Sequence, residues 1–230
     1  MQPSEPCPTA SPPPEPPGER FPAKIESVDW QTAMKRAVRS PSRLREILGL
    51  ADATCDGLDE QFSTFVPLEL LNRIVPGRPD DPVLRQVLAS EQELDESPGF
   101  VADPVGDQQF DVGGGALQKY AGRVLIVTHG ACAVHCRYCF RREFPYSSRA
   151  SRKESWEPAL ERVSRDPSIE EVLLSGGDPL TLTDDVLDQL IEKIESIGHV
   201  RRLRIHTRLP IAIPQRVTQT LVDRLANSHL

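Results

Sequence analysis

No stretch of the 230-residue chain approaches the roughly 20 consecutive apolar residues that a membrane span requires. The N-terminus also lacks the short apolar core of a secretory signal, so the sequence predicts a cytoplasmic protein without a membrane partner. Positive charge is in short supply. With 27 Lys and Arg against 34 Asp and Glu the net charge is −7, which offers no general attraction for nucleic acid, although it leaves room for a local basic patch. Hydrophobic residues make up 38%, less than average, yet the length suffices for one or two domains with a sizeable core. Cysteine is scarce, with five in all. In a reducing compartment clustered cysteines point to a metal or cluster before a disulfide. Cys7, in a polar tail, and Cys55, alone in a polar stretch, read as incidental.

Proline is present but concentrated, with nine of the 22 in MQPSEPCPTASPPPEPPGERFP at the start. Such a segment buries too little apolar surface to offset its ordering entropy, so residues 1–24 are expected to be a disordered or extended tail. Residues 25–117 read as a helical region. VDWQTAMKRAV brings Val28, Ala33, Met34 and Val38 near one face, and SRLREILGL repeats the spacing with Gly49 as a stop. Asp81-Pro82 then looks like the capped start of a helix over VLRQVLAS.

From residue 118 to 230 the texture is βα. RVLIVT (123–128) is a short apolar, β-branched run suited to a buried parallel strand. A helical stretch over 156–165, the strand EVLLSG (171–176), a helix over 184–196, the strand RRLRIHT (201–207) and a helix from about Arg216 follow. The alternation predicts an α/β fold with right-handed crossovers on a parallel sheet, and three βα units are too few to close a barrel.

CAVHCRYCF (132–140) sets Cys132, Cys136 and Cys139 at x3 and x2 spacing directly after the first strand, at the carboxyl edge where parallel α/β folds bind ligands. Structural zinc would need a fourth ligand, His129 or His135, and commonly uses CxxC pairs. The ferredoxin run has x2 spacing and four thiolates. Three thiolates around a four-iron cluster would leave one iron open to a ligand.

The triplet, with Tyr138 beside its last cysteine, resembles the radical S-adenosylmethionine (SAM) signature. LSGGDPL (174–180) resembles that superfamily's glycine-rich motif. More narrowly, KYAGRVLIVTHGACAVHCRYCFRREFPY, RIHTRLPI and PDDPVLRQVL resemble the lysine 2,3-aminomutase family, most closely its branch that makes β-lysine for modifying elongation factor P. The resemblance runs from about Asp29 to Leu230. It implies a partial radical SAM (βα)6-type barrel and an isomerase converting L-α-lysine to β-lysine, with a [4Fe-4S] cluster, SAM and pyridoxal 5′-phosphate. One-electron reduction by a donor such as flavodoxin or ferredoxin would yield a 5′-deoxyadenosyl radical. A homo-oligomer fits the same picture.

By resemblance Cys132, Cys136 and Cys139 hold the cluster, and Ser175, Gly176, Gly177 and Asp178 contact the methionine part of SAM. Two glycines suit a close backbone approach to a ligand. Tyr120 and Arg123 match positions near the pyridoxal phosphate group. Arg141 matches the arginine receiving the substrate carboxylate, with Arg142 as the alternative. His206 and Arg208 line the active site or only the surface. GGGALQKY (113–120) departs from the proline-glycine stretch expected before Tyr120. The family's C-terminal half, with the imine-forming lysine and the acidic residues for the substrate's distal ammonium, is expected beyond Leu230. An unclosed half-barrel should also leave apolar surface exposed.

Overall fold

The computed structural model of the protein describes residues 26–50, 62–95, 97–146 and 156–230; the proline-rich tail, Cys7 and Cys55 lie outside the described residues. In the N-terminal region Asp29 caps helix α1 (Trp30–Lys35) by accepting from the Thr32 amide at 2.9 Å. Ser40 caps α2 (Pro41–Ile47), and Gly49, at φ 60°, ends it as the sequence predicts. α3 (Leu68–Leu71) is a single turn. VLRQVLAS is not a helix. It holds only a 3₁₀ turn over Leu84–Gln86, because buried Asp81 accepts from the amides of Val83 (2.8 Å), Leu84 (3.0 Å) and also Val75 (3.1 Å), wrapping the chain around its carboxylate.

A five-stranded sheet follows, in the order β1 (Asp111–Gly113), β2 (Ala116–Tyr120), β3 (Arg123–Val127), β4 (Glu171–Ser175), β5 (Arg202–Ile205). β3, β4 and β5 are parallel, connected by α4 (Glu157–Arg165) and α5 (Asp184–Glu195). Val124, Ile126, Val172 and Leu174 on the sheet, and Leu187, Leu190, Ile191 and Ile194 on α5, are all essentially inaccessible and join one core. Each such side chain contributes about 1.5–3 kcal/mol by leaving water.

The antiparallel hairpin β1-β2 is a feature the sequence reading missed, and the 117/118 boundary falls inside β2. Gly113, Gly114 and Gly115 turn it with φ of 89°, 62° and 76°; a Cβ on Gly114 would lie 2.7 Å from Pro158 Cβ, so the turn packs against the start of α4. After β5, α6 (Leu209–Ala212) and a 3₁₀ turn at Pro214–Arg216 delay the last helix, α7, to Gln219–Ala226.

The barrel is not closed. The face opposite the core is charged at one end and apolar further along. Arg123, Glu171 and Arg202 share one register row, with buried Glu171 paired to Arg123 (3.9 Å), Arg202 (3.8 Å) and Arg204, and the half-buried Leu125 and Leu173 form the next row with Arg204. Large exposed apolar side chains include Phe100 and Val101 before the sheet, Phe140 in the cysteine loop, and Ile211, Val217, Val222 and Leu225 on the last stretch. No helix among the described residues is long and apolar enough to cross a membrane.

Candidate cofactor site

The loops leaving the carboxyl ends of β3, β4 and β5 converge on one cavity of about 710 Å³. They are bound edge to edge. The Thr128 amide donates to Ser175 O, Gly177 N to His129 O and Asp178 N to Ala131 O, each at 2.8 Å, and His206 N reaches Leu174 O at 2.9 Å. This approach is why two glycines stand in LSGGDPL. A Cβ on Gly177 would lie 2.0 Å from Ala131 O, and one on Gly176, at φ 125°, 2.5 Å from His129 O. The glycines make room for the cysteine loop, a packing reason beside the ligand approach expected from the sequence.

Cys132, Cys136 and Cys139 all border the cavity as free thiols, Cys136 buried and the others half-buried. Burial pushes the Cys132 thiol up to about 12 and raises Cys136 as well, against the pull of the neighbouring Arg208 guanidinium. Such thiols need a bound electrophile to be held as thiolates. Among the described residues no three or more His, Cys, Asp or Glu groups draw together around a single-ion site. The zinc alternative also loses His129. Its Nε2 lies 3.1 Å from Asp178 O and 2.9 Å from Thr181 Oγ1, and its Nδ1 accepts from the Ala131 amide at 3.2 Å. Three soft sulfur donors spread around a roomy cavity fit an iron–sulfur cluster.

Asp178 does not reach into the cavity with a free carboxylate. At 1% exposure it accepts from Thr207 Oγ1 (2.6 Å) and from the amides of Arg208 (2.6 Å), Leu180 (3.0 Å) and Leu209 (3.2 Å). It clamps the β4 loop to the β5 loop. Burial raises its carboxyl, and these four donors work against that rise. Arg141 is buried at the cavity wall with Nε on Asp107 (2.7 Å) and Nη1 on Ser175 Oγ (2.8 Å), so its fork is already partly engaged. Arg142 also lines the cavity, paired with Glu93 at 2.9 Å. Arg208 lies over the Tyr138 ring and points Nη1 at Cys136 Sγ, 2.9 Å away. His206 faces the cavity, and burial followed by the charges of Arg141 and Arg204 holds its imidazole below the usual histidine range.

Tyr120 and Arg123 stand apart. They are register partners at the amino edge of the sheet, the guanidinium 5.3 Å from the ring centroid, and neither lines the cavity. The four steps from Arg123 to Val127 make this separation roughly 13 Å along the strand.

The sequence reading missed the support beneath the cysteine loop. Glu93 grips the buried Arg137 guanidinium at 2.6 and 2.8 Å and holds Arg142 with the same carboxylate. Burial pushes the Glu93 carboxyl up, and the two arginines more than reverse this and hold it below the usual range. Arg137 also reaches Phe62 O at 2.7 Å, His135 stacks on Phe62, and Tyr138 donates to Gln86 at 3.1 Å. Of the partners beneath the loop only Gln86 belongs to a recognisable motif, PDDPVLRQVL; for Glu93 and Phe62 no local signal marks the contact.

Residues 126–229 match the family model described as the radical SAM superfamily. L-lysine 2,3-aminomutase of Escherichia coli (strain K12) is 44% identical over 209 residues, covering 88% of this chain and 60% of the relative. The protein of that name from Haemophilus influenzae is 40% identical over 208 residues, 89% of this chain and 62% of the relative. That of Clostridium subterminale is 30% identical over 205 residues, 87% of this chain and 49% of the relative. The chain thus spans about three-fifths of the first two relatives.

Proposed function

We propose that the chain belongs to the radical SAM superfamily, groups with its lysine 2,3-aminomutases, and forms the cluster-binding and SAM-binding part of an isomerase moving the α-amino group of L-lysine to C3. The observation that carries this reading is the set of three thiols bordering one cavity beside the glycine-rich loop. The family's [4Fe-4S] cluster and SAM supply one-electron chemistry when bound, and its pyridoxal 5′-phosphate supplies an electrophile for the substrate amine.

In this reading Cys132, Cys136 and Cys139 ligate the cluster. The main chain of Ser175, Gly176 and Gly177 supports the methionine part of SAM, while Asp178 holds the loop rather than the ligand. Arg141 receives the substrate carboxylate; its charge is already oriented by Asp107, and Ser175 is the neighbour that would release Nη1. Arg142, tied to Glu93, is less available. Tyr120 and Arg123 would take the pyridoxal phosphate group from the amino edge of the same sheet. A low-potential donor of the flavodoxin or ferredoxin type would supply the electron. The motif resemblance supports a role in elongation factor P modification.

Anaerobic reconstitution of the chain tests the reading. About four irons with matching sulfide and the broad visible absorption of a [4Fe-4S] centre are expected. Cys136→Ala should lose both, and Cys55→Ser neither. Stoichiometric zinc without sulfide would overturn the proposal.

A further inference from the structure

We infer that Arg208 is a redox-tuning residue: its N–H bond to Cys136 Sγ raises the reduction potential of the cluster held there, and Asp178 positions it. The inference rests on the reading of the three cysteines as cluster ligands. It adds a role for one contact which that reading leaves unassigned.

Three arginines line the cavity, and two of them have carboxylate partners. Arg141 pairs with Asp107 at 2.7 Å, and Arg142 with Glu143 at 3.6 Å and with Glu93 at 2.9 Å, which it shares with Arg137. Among the described residues Arg208 has no carboxylate ion-pair partner for its guanidinium; its Nη1 is 2.9 Å from the Cys136 sulfur. That distance is short for a bond to sulfur and suits a charge-assisted one. The guanidinium also lies over the Tyr138 ring, 4.8 Å from its centroid. The backbone end is fixed too, because buried Asp178 accepts the Arg208 amide at 2.6 Å and Thr207 Oγ1 at 2.6 Å. A long side chain held at root and tip loses little further freedom when it engages a ligand.

The electrostatic consequence follows from where the electron goes. Reduction adds one electron, taken from an external one-electron donor, and part of that charge spreads onto the ligating sulfurs. A cationic N–H donor on one sulfur favours the more negative, reduced form. Cys136 is buried while Arg208 is exposed at the cavity edge, so the contact is part-buried and water screens it only in part. Arg208 therefore makes electron entry easier at a given potential, before any substrate arrives.

The test is a redox titration of the reconstituted chain without SAM, using dithionite and mediators and following the reduced cluster by electron paramagnetic resonance. At the midpoint of the unsubstituted protein, Arg208→Gln should lower the reduced-to-oxidised ratio about tenfold, which for one electron is a shift of about 59 mV to more negative potential. Arg208→Lys should fall between the two. Arg204→Gln removes an arginine of β5 that pairs with Glu171 and touches no sulfur in the structure, and should change the ratio by less than about twofold. If Arg208→Gln loads no iron, Arg208→Lys decides by the same criterion. Loaded Arg208 variants whose ratio moves no further than that of Arg204→Gln would overturn the inference. So would variants altered only in SAM affinity, or failure of both Arg208 variants to load. A chain that loads no cluster even without substitution would instead overturn the reading of the cysteines.

Discussion

At the scale of single residues the two glycines of LSGGDPL carry the sharpest constraint. Gly177 has backbone, not flexible side chain, in the place of its missing Cβ: Ala131 O at 2.0 Å and Gly130 O at 2.7 Å. Backbone cannot yield without separating the loops. Gly177→Ala should therefore cost about 3 kcal/mol in chemical denaturation and reduce iron loading with it. Gly198, after α5, has nothing within 4 Å of the place a Cβ would take, and no positive φ. Gly198→Ala should leave stability within about 1 kcal/mol, on the stabilising side. Equal losses in the two variants would show that the contact with the cysteine loop is not what Gly177 protects.

At the scale of elements the cysteine loop is held from beneath by the N-terminal region, and the fastening is electrostatic. Glu93 sits between Arg137 and Arg142, which hold its carboxyl below the usual range despite its burial. A depressed folded pKa contributes stability that is present above the ordinary glutamate value of about 4.3 and is lost as pH falls through the folded value. Glu93→Gln should thus cost about 2 kcal/mol at pH 7, and its deficit should shrink below about pH 4 as the native carboxylate is protonated. Thermal melts of both proteins between pH 3 and 7 measure this. A deficit constant across that range would mean the charge is not what holds the loop.

These elements also show what the sequence could reveal. β3 and β4 were legible because a continuous apolar, β-branched run has few other uses. β5, at the open edge, was legible from its alternation. The cysteine triplet was legible because ligand spacing is local. The hairpin β1-β2 was not, since ALQKY is polar at its end and pairs with β3 through contacts invisible in one dimension. The pairs Arg137–Glu93 and Arg141–Asp107 span 44 and 34 positions, a separation with no periodic or spacing signature. VLRQVLAS misled because Asp81 caps a turn and a helix with the same hydrogen bonds.

At the scale of the whole molecule, the chain spans about three-fifths of the E. coli and H. influenzae relatives, and among its described residues no lysine lines the cavity. Lys119 donates to Val105 O at 2.9 Å, and Lys193 pairs with Glu157. Borohydride reduction of the chain with pyridoxal 5′-phosphate, followed by peptide mapping, should therefore give scattered labelling rather than one dominant lysine. A single stoichiometric adduct would place an imine-forming lysine within this chain and refute that expectation.

The placement of the two tryptophans carries an optical consequence. Trp156, 4% exposed, donates its indole N–H to Thr128 O at 2.9 Å and so is joined to the strand end that launches the cysteine loop. Trp30 lies beneath the Arg216 guanidinium, in the helical region. A visible-absorbing centre assembled on the loop accepts excitation energy from the indole joined to that strand end. Loading should dim the fluorescence of a Trp30→Phe chain more deeply than that of a Trp156→Phe chain, turning one hydrogen bond of the fold into a gauge of occupancy.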